Sequence, residues 1–83
     1  MNDIWQVYII KCKDGELYTG IAKDVDKRVA LHNKGLSCRY TQYRGPVKLL
    51  YCESYKNRKD AAKREAKIKG LTRRKKLEII NAR

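Results

Sequence analysis

The stretch VYIIKCKDGELYTG, residues 7–20, constrains the fold more than any other part of the chain. Two short apolar runs flank Lys13-Asp14-Gly15, the pattern of a β-hairpin. Side chains alternate across a strand, and directly paired residues share a face. A two-residue turn at Asp14-Gly15 would place Tyr8 opposite Ile21 and set Tyr8 and Tyr18 on opposite faces. A three-residue loop with Gly15 left-handed in a bulge instead pairs Cys12 with Glu16. Tyr8 then opposes Gly20 and Tyr18 opposes Ile10, all on one face, while Val7, Ile9, Leu17 and Ile21 form an aliphatic face on the other side. The second register gathers the core residues together, so the bulged turn is expected. It leaves two phenols beside Gly20, where a ligand backbone could approach closely. On the hairpin alone, two half-buried sheet tyrosines are an equally plain reading, since phenols favour strands.

The rest of the chain supplies covers for that sheet. KDVDKRVALHNKG reads as a helix capped by Asp24 and ended by a left-handed Gly35. Val25, Arg28, Val29 and His32 fall on one stripe of it. LSCRYTQYRGP, residues 36–46, is a polar and basic loop. VKLLYCESY, residues 47–55, reads as a third strand opened by Pro46, where a missing N–H costs least. NRKDAAKREAKIKG reads as a helix capped by Asn57 and stopped by Gly70. TRRKKLEIINAR is a third helix with Thr72 as cap and Leu77 and Ile80 as buried anchors. The order β-β-α-β-α-α implies an α+β fold, a small three-stranded antiparallel sheet flanked by helices.

The 83 residues are read as one domain, 1–83, with a thin core that buries roughly 60% of the unfolded surface. Cys12, Cys38 and Cys52 are odd in number and widely spaced, and His32 is the only histidine. That pattern argues against a disulfide framework or a structural zinc site, and for reduced thiols in a cytoplasmic protein. MNDIWQVYII has neither a basic leader nor a long apolar run, so no signal peptide or membrane span is expected. The net charge of +12 is the dominant global signal. Such a field concentrates polyanions, and phosphate contacts with counterion release make nucleic acid the expected partner. Solubility alone would need a net charge of only ~2–8.

The ordered set VYI at 7–9, YTG at 18–20, Arg28 on the next helix and Glu65 on a later one resembles the GIY-YIG nuclease superfamily. The resemblance spans nearly the whole chain. It is nearest to the small single-domain bacterial branch of unassigned function, beside the structure-specific endonucleases that cut branched or flapped DNA. It implies hydrolysis of a DNA phosphodiester in repair or processing, with one divalent ion, Mg²⁺ or Mn²⁺. By position, Tyr8 and Tyr18 match the two motif tyrosines and Arg28 matches the arginine near the scissile phosphate. His32 matches a His or Tyr position of the site, and Glu65 matches the metal-binding carboxylate.

The residue types suit that chemistry. Arg28 can grip a phosphate bidentately. Mg²⁺ is held by few carboxylates and keeps waters. Tyr18 is expected to activate water with help from His32, and Tyr8 to orient water or phosphate; the two phenolic roles are exchangeable. A salt bridge is the plain alternative for Glu65, whose helix neighbours Ala61, Ala62 and Ile68 mark an apolar side. Arg39, Tyr40, Tyr43 and Arg44 interleave charge with aromatic rings, which suits stacking on unpaired DNA bases. Arg73, Arg74 and Lys75, continued by Lys76, put positive charge at a helix N-terminus, where a polyanion would relieve the dipole penalty.

Three departures from the motifs stand out. Val7 replaces a glycine, Thr19 is the middle residue of the second motif, and Ile21 follows Gly20 where many members carry a polar helper. The chain shows no appended DNA-binding module, so specificity would come from the domain's own basic surface or from a protein partner. The rival reading is a non-catalytic nucleic-acid-binding protein on the same scaffold, with a ribosome-associated basic protein as a weaker third.

Overall fold

The computed structural model describes residues 4–82. Its elements are β1 (Trp5–Lys11), β2 (Leu17–Ala22), α1 (Val25–Asn33), β3 (Lys48–Tyr55), α2 (Arg58–Lys69) and α3 (Arg73–Asn81). The sheet order is β2-β1-β3, with β1 central and antiparallel to both neighbours. None of the helices among the described residues is long and apolar enough to cross a membrane.

The hairpin adopts the bulged register. Cys12 N–H donates to the Glu16 carbonyl at 2.8 Å, and Gly15 N–H donates to the Cys12 carbonyl at 2.9 Å. Gly15 has φ +89°, which a side chain would strain. Tyr8 therefore pairs with Gly20, and Ile10 with Tyr18. Between β1 and β3 the register shifts after Ile9, because Ile9 pairs with Tyr51 and Ile10 with Leu49. Leu50 is the extra residue, a bulge in β3.

Each face of the sheet has its own core. Val7, Ile9 and Leu17 pack with Ala61 and Ile68 of α2, and Leu77, Ile79 and Ile80 of α3 lie against them. Tyr8, Ile10, Cys12 and Ala22 pack with Val25 of α1 and Val47, with Val29 alongside. Each buried aliphatic side chain contributes about 1.5–3 kcal/mol. Leu77 and Ile80 are half-buried, not the buried anchors expected, and α3 has no fully buried residue. The helix α2 already covers the centre of that face, so α3 packs at its margin.

Local signals set the helix ends. Asp24 accepts from Lys27 N–H at 3.0 Å, Asn57 from Asp60 N–H at 2.8 Å and Thr72 from Lys75 N–H at 3.2 Å. Gly35 follows α1 with φ +72°. β3 starts at Lys48, one residue later than expected, because Val47 is held elsewhere: its N–H donates to Asn33 Oδ1 at 2.6 Å. On the α2 side, Glu53 of β3 accepts from Tyr51 (2.5 Å), Tyr55 (2.6 Å) and Arg64 (2.6 Å). Burial pushes the Glu53 carboxyl up, but those three donors outweigh it and hold the group below the ordinary carboxylate range.

Candidate active site

The site forms where the edge strand β2 lets the two faces of the sheet meet. A cleft of about 310 Å³ is lined by Trp5, Tyr8, Tyr18, Gly20, Ile21, Arg28, Arg58 and Glu65. Four of the five residues singled out by the motifs share it. The fifth, His32, lies buried beneath.

Tyr8 and Tyr18 reach the cleft because the hairpin register puts them on one face. Gly20 is small for a reason different from the one expected. A Cβ there would come within 2.5 Å of the Tyr8 hydroxyl and 2.7 Å of its Cζ. The space reserved by the glycine is filled by Tyr8 itself, not by an approaching ligand backbone. The glycine lets the phenol lie flat across the neighbouring strand.

Arg28 and His32 stand one turn apart on α1, which Val25 and Val29 anchor to the same face. Tyr8 hydroxyl and His32 Nε2 are 2.8 Å apart. On the other side of the imidazole, Nδ1 is 2.7 Å from Thr41 Oγ1. The Thr41 hydroxyl donates to the Cys38 carbonyl at 3.4 Å, leaving its lone pair to accept from Nδ1–H. This pattern assigns the ring proton to Nδ1 and makes Nε2 the acceptor for the Tyr8 hydroxyl. His32 therefore serves Tyr8, whereas the sequence pointed to Tyr18 as its partner. Tyr18 meets His32 only edge-on, with ring centroids 5.3 Å apart.

The electrostatics agree with this division. Burial pushes the Tyr8 phenol up to about 12, against the pull of the Arg28 guanidinium through charge and a hydrogen bond. Burial, then a hydrogen bond to Cys38, pushes the Tyr18 phenol still further above its ordinary value. Burial, reinforced by Arg28, lowers His32 below the usual histidine value, so the ring is neutral at neutral pH. Burial alone would raise the Cys38 thiol, but hydrogen bonds from Thr41, Tyr18 and the Tyr40 backbone carry it below the ordinary thiol value.

Glu65 shares the inward stripe of α2 with Ala61 and Ile68, and those two are fully buried. It arrives at the cleft over the β2 edge, 21% exposed, with Lys69 Nζ 3.3 Å from Oε2. The ion pair that sequence alone offered as the plain alternative is thus present, in the same place as the cleft. Lys69 Nζ also lies 5.9 Å from the Tyr18 ring centroid. A cation thus reaches Tyr18 from α2, although Ile21 follows Gly20 on the strand.

The loop and the last helix behave less uniformly than their composition suggests. Tyr40 stacks on Tyr18 at 5.5 Å, and Arg44 lies 4.6 Å from the Tyr40 ring while paired with Asp14. Lys13 N–H donates to the Arg44 carbonyl at 2.8 Å, fixing the loop to the hairpin. Tyr43 (90% exposed) and Arg39 project outward. Arg73 donates to the Gly15 carbonyl at 2.7 Å, and Arg74 pairs with Glu78 at 3.8 Å, so of the three expected DNA contacts there two already have protein partners. Lys75 is exposed.

Sequence reasoning missed Thr41, Trp5, Arg58 and Lys69. Thr41 sits in a polar loop with no periodicity, so nothing marked it as fully buried. The other three belong to the site through side chains converging across elements.

The sequence profile of the GIY-YIG catalytic domain matches residues 4–78. The chain belongs to the GIY-YIG family. Among relatives, it is 54% identical to the UPF0213 proteins of Staphylococcus aureus strains Mu3 and N315, over 93% of this chain and 94% of theirs. The solution NMR structure of the UPF0213 protein BH0048 from Bacillus halodurans superposes with a TM-score of 0.63 at 38% identity, covering 96% of this chain and 85% of that one. GIY-YIG domains are nuclease domains that generally bind DNA and use divalent metal ions. The donor set fits such an ion. Glu65 is the cleft's one carboxylate, and Mg²⁺ is commonly held by one or two carboxylates with substrate phosphate and water completing the shell. No cluster of three or more His, Cys, Asp or Glu side chains exists among the described residues, so the ion would be shared with the substrate.

Proposed function

We propose that this GIY-YIG domain is a divalent-metal-dependent endonuclease that hydrolyses DNA phosphodiester bonds, acting on irregular DNA such as branched or flapped structures in repair or processing. The observation that carries this reading is one cleft holding Tyr8, Tyr18, Arg28 and Glu65, with His32 bonded to Tyr8 from below. A merely binding surface has no use for a carboxylate sharing a cleft with one buried and one half-buried phenol.

In this reading Arg28 clamps the scissile phosphate and neutralises charge on its non-bridging oxygens. Glu65 would hold the ion, which when bound supplies Lewis-acid stabilisation of the phosphate and leaving oxygen. Tyr8 is the water-activating group. At pKa about 12, free ionisation at neutral pH would cost about 7 kcal/mol. A relay avoids that cost: Tyr8 takes the water proton as it passes its own to His32 Nε2. Water oxygen bonds to phosphorus, the bond to the leaving oxygen breaks, and that oxygen takes a proton from solvent or from the imidazolium. Tyr18, stacked on Tyr40, orients the attacking water or the phosphate.

A nicking assay on flapped, branched and plain duplex DNA, with and without Mg²⁺ or Mn²⁺, tests the proposal. Cutting should require metal and vanish in Glu65→Gln, which keeps or strengthens DNA binding. Metal-independent cutting, or cutting that survives in Glu65→Gln, removes the assignment of Glu65. Absence of cutting on every substrate, with binding that weakens steeply with salt, favours the non-catalytic binding protein.

A further inference from the structure

Trp5 is the only tryptophan in the chain, and it stands half-buried at the start of β1. It forms a wall shared by two clefts. One is the catalytic cleft; the other, about 320 Å³, is lined by Trp5, Ala22, Lys23, Asp24, Lys27, Arg28 and Leu31. Lys23 Nζ lies 5.5 Å and Arg58 Cζ 5.6 Å from the centre of the Trp5 ring. Arg28 lines both clefts. Each cleft holds one carboxylate: Glu65 faces the first, and Asp24 in the second already accepts from Lys27 N–H as the α1 cap.

We propose that Trp5, with Lys23 and Arg58 against its ring, is a stacking platform for an unpaired DNA base next to the phosphate held in the catalytic cleft. This rests on the nuclease reading of the adjoining cleft and names the substrate feature it selects. A half-buried indole that lines two clefts among cations suits a nucleotide, which brings a flat ring and a negative charge together. Base stacking is stronger than an exposed cation–π contact. A base can therefore displace a cation from the ring, and the cation moves to the flanking phosphate. Arg28, common to both clefts, marks where the backbone would pass from one to the other. Plain duplex DNA offers no free base face, so the platform favours flaps, gaps and branch points.

Because Trp5 is the sole tryptophan, its fluorescence reports the contact directly. Wild-type protein in chelator would be titrated with a single-stranded thymidine oligomer of about ten nucleotides, a length typical of single-stranded sites. A matched oligomer with abasic sugars carries the same backbone charge. The thymidine oligomer is expected to quench the emission and the abasic one to leave it nearly unchanged. Trp5→Leu should weaken binding of a labelled thymidine oligomer by about 5- to 50-fold, with little change for the abasic one. Equal quenching by both oligomers overturns the platform, as does unchanged affinity in a folded Trp5→Leu. The quenching comparison needs no variant, so it decides even if Trp5→Leu fails to fold. Base-dependent quenching without nicking of any substrate would sink the nuclease reading and keep the platform. Nicking with base-independent quenching would do the reverse.

Discussion

The hydroxyl of Tyr8 lies 2.8 Å from Nε2 of His32, at full burial for both residues. That contact links the first strand to the first helix and selects which of two phenols has a base behind it. Tyr18 meets His32 only edge-on and stacks instead on Tyr40 of the loop. The two motif tyrosines are therefore chemically distinct.

Removing one phenol oxygen at a time separates them. Tyr8→Phe should lower the nicking rate by about 100-fold or more, the scale of general base catalysis, and also lower Tm, because it leaves buried Nε2 of His32 without a donor. Tyr18→Phe should lose less, because it removes an orienting group. Single-turnover rates on a flapped substrate decide; a larger loss in Tyr18→Phe would reverse the roles.

In the proposed relay Thr41, 2.7 Å from His32 Nδ1, acts through His32 as a positioning residue. Thr41→Val takes away the acceptor for Nδ1–H, so the imidazole can adopt the other tautomer or turn. The rate should fall about 10-fold or more with KM nearly unchanged, and the acid limb of the pH–rate profile should move. Thr41→Ser, which keeps the hydroxyl, should restore both. A fall in rate with an unmoved acid limb would mean that Thr41 is only packing.

His32 also ties stability to pH. Its folded pKa is depressed by burial and by Arg28, so above the unfolded value of 6.5 its contribution is fully present. As pH falls below 6.5 the unfolded chain takes up a proton that the folded ring resists, and stability declines. Thermal melts from pH 7 to pH 5 should show this decline, and His32→Gln should flatten it. His32 is the only histidine, so an identical slope in that variant contradicts the assignment. Nicking should fall at lower pH than the onset of that decline, once the folded ring itself takes a proton and cannot accept from Tyr8.

Gly20→Ala brings a methyl to within 2.5 Å of the Tyr8 hydroxyl. Overpacking of this kind costs about 1–3 kcal/mol, and Tyr8 must move off His32 to relieve it. Chemical denaturation should show the loss, and nicking should collapse with it. In a Tyr8→Ala background the cost of Gly20→Ala should largely disappear, since Gly20 is an ordinary extended strand residue. Additive losses in the double variant would place the clash elsewhere.

Thr19 sits on the α2 face of the sheet, 2% exposed, and its hydroxyl has no hydrogen-bond partner among the described residues. Thr19→Val replaces that hydroxyl by a methyl of similar shape. It should raise stability by about 1 kcal/mol, or roughly 4–8 °C in Tm, without altering nicking. A lower Tm would show that the hydroxyl is satisfied in solution.

Much of the fold was readable because its signals are local. Alternation in β1 and β2 and the position of Gly15 determined the hairpin register, and with it the shared face of Tyr8 and Tyr18. Asp24, Asn57 and Thr72 marked three helix starts, because each cap bonds an N–H three residues on. The i, i+4 spacing of Arg28 and His32 placed both on the side of α1 that faces the phenols. The half-burial of Leu77 and Ile80 was not readable, because it depends on how much of the face α2 already covers.

The sequence by itself determined the hairpin register and the element order, since each depends on neighbours within one strand pair or one helical turn, and the family resemblance named the candidate residues. Only the tertiary structure decided that His32 serves Tyr8, that Tyr8 fills the space above Gly20, and that Thr41 orients the imidazole. It alone brought Glu65 over the β2 edge and carried Lys23 and Arg58 to 5.5 Å and 5.6 Å from the centre of the Trp5 ring. The reason is physical: hydrogen bonds and ring contacts act over a few ångströms. Which distant side chains come that close depends on how the two cores dock their helices on a twisted sheet, which no local pattern encodes.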